Sequence, residues 1–346
     1  MIRKSSLIVI FIFLSILSLA QIGGTHTYSF LDLVNSARVA SMGGNINAIN
    51  DNDLNLVSYN PALLSAQMDK NLVLNYVNYF TDINYGFVTY ANNFNNFGMF
   101  AGGIQYINYG KFIEADDKGI ITGEFKASEY AIHLTYSKTI DSLFSFGVNL
   151  KPVISTLEKY TSVGIAADFG ALYTNRTGLF SAALVIKNLG LQLTSYTSER
   201  ESLPLNIQVG ISQKLKHAPL RFSVVFDHIE TPDLTYSEPK EESDPIFEND
   251  DSESNIDIIA DQIMRHIIIG AEFSPINNFY VRAGYNYRRR QEMIIDSKTG
   301  MVGFSWGFGV KISRFNISYG RATYHLAGST DHFSVSTDLG SFYKKQ

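Results

Sequence analysis

The sequence predicts an all-β fold, a transmembrane barrel of about fourteen antiparallel strands that encloses an N-terminal plug. Short segments in which apolar and polar residues alternate recur from Asn71 to the C-terminus, as in strands with one apolar face. The 20 Tyr and 24 Phe against a single Trp suit strands and interfacial aromatic girdles. A mean hydropathy of -0.01 is compatible with this fold, because the polar face of each strand offsets the apolar one.

Residues 1–20 form a predicted secretory signal. Arg3 and Lys4 precede an apolar run from Leu7 to Leu17, and Ser18-Leu19-Ala20 has the small-residue pattern of a cleavage site. The run is shorter than the roughly 20 residues that a spanning helix needs, so we expect export without a helical anchor. The absence of cysteine excludes disulfides, thiolate catalysis and Cys-ligated metals.

Residues 21–69 are predicted to form an N-terminal segment and lumen plug. The stretch from Phe30 to Ser65 is rich in Asn, Asp, Gly and Ser, so it suits a polar interior better than a sheet. Its motif residues are Gly43, Gly44, Asn60, Pro61 and Ala62. The glycine pair predicts a tight turn, and Asn-Pro-Ala predicts a capped helix start with Pro in the first turn. A ligand contact at this motif stays open as the alternative.

Residues 70–346 are predicted to form the barrel wall. Phe144, Phe146, Val148 and Leu150, for example, alternate with Ser145, Gly147, Asn149 and Lys151. We expect strands to begin near residues 71, 83, 97, 128, 142, 162, 178, 204, 219, 264, 277, 301, 314 and 331. An even count and a periplasmic N-terminus place short turns in the periplasm. The longer loops are then outside, at 110–127, 155–161, 188–203, 230–263 and 288–300. A soluble β-sandwich or jelly roll is the competing fold.

The outer loop 230–263 is strongly acidic. Between Glu230 and Asp261 there are twelve acids against the single Lys240. A solvated loop is the simple interpretation, and a surface that faces a partner or binds divalent cations is the sharper one. The candidate partner-facing residues are Glu241, Glu242, Asp244, Asp250 and Asp251. No EF-hand spacing occurs here, so the sequence does not support a specific calcium site.

Six charged residues fall on the polar sides of predicted strands. They are Asp168, Arg221, Asp227, Glu272, Arg282 and Lys311. Unpaired charge in an enclosed lumen is costly, so we expect these side chains to form a paired network with the plug. A polar permeation path is the alternative.

No enzymatic site is predicted. Ser237 with Lys240, and Lys298-Thr299-Gly300, match two motifs of penicillin-interacting serine enzymes, but both matches fall in predicted loops and the third motif is absent. No two of the seven His have the helical spacing of a zinc site. We therefore expect no catalytic residue, no cofactor and no metal. Nucleic-acid binding has no support on an acidic chain.

The plug sequence also resembles a known family. Ala37-Arg38, Met42-Gly43-Gly44, Asp51, Asp53 and Tyr59 to Ser65 resemble the N-terminal hatch of FadL-like outer-membrane barrels. Residues 23–33 and 76–86 are similar to the PorQ branch of that family, which belongs to the type IX secretion system. The resemblance implies an outer-membrane anchor that holds a PorZ-like surface partner, with PorU and PorV in the same cargo-attachment complex. It also implies contact with outer-membrane lipid and lipopolysaccharide. A FadL-like channel for hydrophobic small molecules is the competing function.

Overall fold

The computed structural model describes residues 26–80, 83–94, 97–197, 199–235, 255–293, 300–325 and 328–343. Within them, fourteen antiparallel strands close into a barrel in which β1 pairs with both β2 and β14. The strands are β1 Asn71–Asn78, β2 Asn84–Phe94, β3 Gly98–Ala115, β4 Ile121–Thr139, β5 Phe144–Leu157, β6 Tyr160–Thr174, β7 Phe180–Thr194, β8 Asn206–Lys214, β9 Leu220–Phe226, β10 Ile267–Ile276, β11 Phe279–Asn286, β12 Phe304–Ile312, β13 Phe315–His325 and β14 Gly328–Asp338. The closed barrel confirms the predicted fold over the sandwich.

Side chains alternate between lumen and exterior along each strand. In β5, Asn149 and Lys151 are buried in the lumen, whereas Phe146 and Leu150 on the other face are 47% and 40% exposed. The same outward face of Phe, Leu, Ile and Val recurs around the barrel. Such a continuous apolar exterior requires lipid as its surroundings, so the chain is a bacterial outer-membrane protein. Among the described residues, no helix is long and apolar enough to cross a membrane.

The two ends of the barrel differ in their connections. One end carries short turns at 140–143, 175–179, 215–219, 277–278 and 313–314, and we assign it to the periplasm. The outer end differs from the prediction in detail. The loop expected at 155–161 is a two-residue turn, because Leu157 and Tyr160 still pair across it. Strands also continue through most of 110–127, and β7 runs to Thr194.

Helices replace irregular chain at three places. The plug contains α1 (Ala37–Ser41), and the outer end carries α2 (Asn255–Arg265) before β10 and α3 (Tyr287–Met293) after β11. A fourth short helix, α4 (Gly340–Tyr343), follows the last strand. The predicted loops 230–263 and 288–300 therefore contain helix in their described parts.

The plug runs from the outer end of the lumen to the periplasmic end. Thr27 N donates to Ser202 O at 3.0 Å, on the outer connection between β7 and β8. Asn50 Nδ2 then reaches Thr174 Oγ1 at 3.1 Å, at the periplasmic end of β6. The chain enters β1 from there. The prediction of a periplasmic start holds for β1, but the first described residues lie at the opposite end.

The main hydrophobic core lies within the barrel, between the plug and the wall. Val39, Met42, Ile46 and Leu63 are fully buried and pack in one cluster with Leu172 of β6. In this barrel, burial of plug side chains therefore takes the place of a second sheet.

Candidate functional site

The glycine pair, Gly43 and Gly44, forms the predicted tight turn within the plug. Gly43 and Gly44 have φ values of 98° and 101°, a conformation that L-residues rarely adopt. A Cβ on Gly43 would lie 2.6 Å from Ile268 Cγ2, so the position has no room for a side chain. Gly43 N donates to Ser305 Oγ at 3.0 Å, and this bond ties the turn to β12.

The Asn-Pro-Ala motif begins a 3₁₀ turn, Pro61–Leu63, in the periplasmic half of the lumen. Ala62 N donates to Asn60 Oδ1 at 2.9 Å, which is an N-cap, and Pro61 occupies the first turn. Asn60 Nδ2 donates to Asn47 O at 2.7 Å, so the same side chain also joins two plug segments. This geometry gives the motif a structural role, and nothing in it calls for a ligand.

Glycines in the wall strands leave room for the plug. A Cβ placed on Gly147 would lie 2.2 Å from Pro61 C, and one on Gly284 would lie 2.0 Å from Gly43 N. Eight wall glycines on seven strands lie against plug atoms in this way: Gly147, Gly164, Gly170, Gly210, Gly270, Gly284, Gly307 and Gly320. The plug therefore packs directly on strand backbone, at distances that any larger residue would forbid.

An ionic cluster fixes the plug to the wall. The guanidinium of Arg38 donates to Asp51 at 2.6 Å and to Asp53 at 3.0 Å, both within the plug. It also donates to Glu272 of β10 at 2.9 Å, with only 6% of each side chain exposed. Burial would raise the pKa of Asp51, but the charges of Arg38 and Arg221 outweigh it and lower that pKa.

Two wall arginines complete this cluster. Arg282 Nε donates to Glu272 Oε2 at 2.8 Å across β10 and β11. Arg221 of β9 contacts Asp51 of the plug and lies 3.5 Å from Glu272. Three of the six predicted charges, Arg221, Glu272 and Arg282, therefore meet at one place with three plug residues.

The other three predicted charges lie elsewhere. Asp168 pairs with Lys151 Nζ at 2.6 Å and accepts a hydrogen bond from the backbone N–H of Asn188. Asp227 accepts hydrogen bonds from the side-chain amides of Asn45 and Asn206, both at 3.1 Å. Lys311 is exposed at the periplasmic rim and has no ion pair among the described residues.

Sequence reasoning missed several partners. Arg38, Asp51 and Asp53 belong to the family motif of the plug, but the predicted charge network does not include them, although three charged residues in one plug segment indicate ion pairing. Lys151 lies on the lumen face of β5, in alternation with the outward-facing Phe146, Val148 and Leu150. Its pairing with an inward-facing acid could therefore have been inferred. The proposed partner-facing acids Glu241, Glu242, Asp244, Asp250 and Asp251 lie outside the described residues.

Cavities lie on both sides of the plug. A periplasmic cavity of about 450 Å³ is bordered by Arg38, Asp53, Arg282 and Lys311. An outer cavity of about 260 Å³ lies under α3 and is bordered by Asp32, Lys187, Asp227 and Arg289 among others. The periplasmic cavity is lined mainly by polar groups, whereas the outer cavity exposes polar and apolar atoms in similar amounts. Among the described residues, no group of acids and histidines could hold a metal ion.

Comparison with known proteins gives the fold. No family model and no curated protein matches the sequence. The toluene transporter TbuX of Ralstonia pickettii is similar with a TM-score of 0.51 at 11% identity, over 88% of this chain and 97% of that one. The P. putida toluene transporter TodX also scores 0.51, at 12% identity, over 89% and 99%. The fold is that of these transporters.

This similarity confirms the fourteen-stranded, plugged FadL-like barrel that the sequence predicts. A Pseudomonas aeruginosa FadL homologue is similar over 88% of this chain with a TM-score of 0.48 at 11% identity. At such identities the likeness concerns the fold alone. The two toluene transporters are membrane transporters rather than enzymes.

Proposed function

We propose that this chain is a non-enzymatic outer-membrane anchor of the type IX secretion system, which holds a PorZ-like surface partner at the outer end of its barrel. The proposal rests on the resemblance of residues 23–93 to the PorQ branch. The buried Arg38 cluster supports it, because a plug joined by ion pairs to β9 and β10 suits a closed, rigid platform better than an open pore. PorU and PorV would join through the same complex.

The outer hairpin, residues 109–127, offers the partner a surface. β3 and β4 are 18 and 19 residues long, and β2 pairs with β3 only as far as Asn108. Beyond that point the hairpin projects from the barrel, and within the described part of the chain β3 has no partner strand on one side and β4 has none on the other before Lys126. Ile113 and Ile121 are both 67% exposed there, and Phe112 stacks on Phe125 at 5.1 Å. Exposed apolar residues and free edges are typical of surfaces that pair with another protein.

A channel for hydrophobic small molecules is the second candidate. The structural comparisons support it more directly than they support the anchor, because both neighbours are toluene transporters and neither is a secretion component. The cavities on either side of the plug argue against it. Each is bordered by charged groups such as Arg38 or Lys187, whereas a hydrophobic solute needs an apolar path.

Affinity purification from native outer membranes separates the two candidates. We expect the wild-type barrel to recover a surface component of the secretion system. Ile113→Asp combined with Ile121→Asp would lower that recovery, and Thr177→Asp in a periplasmic turn would leave it unchanged. Recovery of no secretion component, together with loss of hydrophobic-solute uptake on deletion of the gene, would reject the anchor and support the channel.

A further inference from the structure

The outer cavity contains a buried cation without a counter-ion. Arg289 of α3 is 8% exposed and borders the cavity. Among the described residues, its Nη1 has no hydrogen-bond partner, and its Nη2 has a single acceptor, Gly43 O at 3.4 Å. No carboxylate of the described residues forms an ion pair with it. A buried guanidinium in this state lacks the compensation that a buried charge normally has.

The acids that border the cavity already have other partners. Asp32 lies 3.9 Å from Lys187 Nζ, Glu292 lies 3.9 Å from Arg288 Nε, and Asp227 accepts bonds from Asn45 and Asn206. Nδ1 of His228 lies 2.8 Å from Oε1 of Glu230, so this further acid also has a partner. Among the described residues that border this cavity, Arg289 is therefore a cation with no acid partner.

The surroundings hold the guanidinium in place. Its central carbon lies 4.0 Å from the centre of the Tyr324 ring, a stacking contact that fixes the plane of the group. The amide of Arg289 donates to Asn286 Oδ1 at 2.9 Å, which positions the backbone. The side chain is thus pre-organised with one edge unoccupied.

The cavity can be reached and has room for a ligand group. Ser29 and Met293 on its border are exposed, so it communicates with the outer end. A volume of about 260 Å³ holds several water molecules, each taking roughly 30 Å³ of liquid. A phosphate or a carboxylate head therefore fits.

We propose that the outer cavity binds an oxyanion, a phosphate or a carboxylate group, through the guanidinium of Arg289. The planar fork of arginine matches two oxygens of such a group, which a chloride ion cannot provide. The site goes beyond both candidate functions, since neither the anchor nor the hydrophobic channel assigns an anion to this cavity. The ligand group can come from a free anion or from a lipid head group.

Chemical footprinting of the wild-type barrel in detergent tests the proposal. Phenylglyoxal modification of Arg289 is followed by mass spectrometry with added inorganic phosphate, hexanoate or a short-chain phosphatidate, and with chloride at equal ionic strength. We expect at least one oxyanion to slow the modification of Arg289, while the exposed Arg314 at the periplasmic turn reacts at an unchanged rate. Protection by phosphatidate alone assigns the site to a lipid head group, and protection by phosphate or hexanoate assigns it to a free anion. Equal modification of Arg289 under all conditions would overturn the site.

A variant gives the affinity. Arg289→Gln is expected to weaken binding of the protecting oxyanion by at least about tenfold, because a charge-assisted pair is replaced by a neutral amide. Arg314→Gln serves as the matched control and should bind as wild type. Unchanged affinity in Arg289→Gln would contradict the proposal. If that variant fails to insert, the footprint on the wild-type protein decides alone.

Discussion

Replacement of Arg38 by Gln should weaken the attachment of the plug to the wall. The change removes the charge that faces three carboxylates at 2.6, 3.0 and 2.9 Å. Glu272 keeps Arg282, and Asp51 keeps Arg221, but Asp53 loses its ion-pair partner. Breaking a buried pair costs about 3–5 kcal/mol, and the partial exposure of Asp51 and Asp53 puts the expected loss near the lower end, about 3 kcal/mol.

Urea unfolding of the barrel in detergent measures that loss, and conductance across a planar bilayer reports whether the plug still closes the lumen. Lys111→Gln is the matched control, because its pair with Glu124 is exposed and is worth about 0–1 kcal/mol. Adding Asp53→Asn to Arg38→Gln should recover part of the stability by removing one uncompensated charge. A loss no larger than that of Lys111→Gln would refute the view that this cluster holds the plug.

Three further outcomes are expected. Gly284→Ala should destabilise the barrel by about 1–3 kcal/mol because its Cβ would meet the backbone of Gly43, whereas Gly102→Ala, with open space around it, should melt like wild type. Asn60→Ala should cost about 1 kcal/mol through loss of the N-cap, and an unchanged unfolding midpoint would contradict that role. Burial lowers the pKa of His228, but its bond to Glu230 and the charge of Asp227 outweigh burial and raise it. The charged imidazole gains stabilisation from these acids, and this contribution to folding is complete below the unfolded pKa of roughly 6.5 and is lost as pH rises through the folded pKa. Thermal stability should therefore fall from pH 6 to pH 9, and the fall should be smaller in His228→Gln.

Strand number and position could be predicted because the alternation is physical. Successive side chains of each strand face lipid and lumen in turn, so the sequence shows apolar and polar residues with a period of two. The strand expected near residue 71 begins at Asn71, and the one expected near 219 begins at Leu220. The outer end was less predictable. Nothing in the alternation marks where a strand leaves the membrane, so the sequence predicts a loop at 110–127, where β3 and β4 form the outer hairpin.

The candidate site was predictable in kind but not in detail. Most of the inward charges are paired as expected, yet Arg38 lies 234 residues before its partner Glu272, and Asp51 lies 170 residues before its partner Arg221. Local pattern holds no information on such contacts. Lys311 shows the converse. The alternation predicts a place on the polar face of β12, but the residue lies exposed at the periplasmic rim, where a lysine needs no ion pair.

The glycine niches of the wall also constrain how the molecule is made. Plug backbone lies where any side chain on Gly147 or Gly320 would be, so the plug has no clearance to slide along a finished barrel. The seam between β1 and β14 joins residues such as Asn71 and Asp338 from opposite ends of the chain, and such distant pairings form late. The plug must therefore be seated before that seam closes. The enclosed segment cannot leave the lumen while the wall stays closed, so its escape requires the seam to open again.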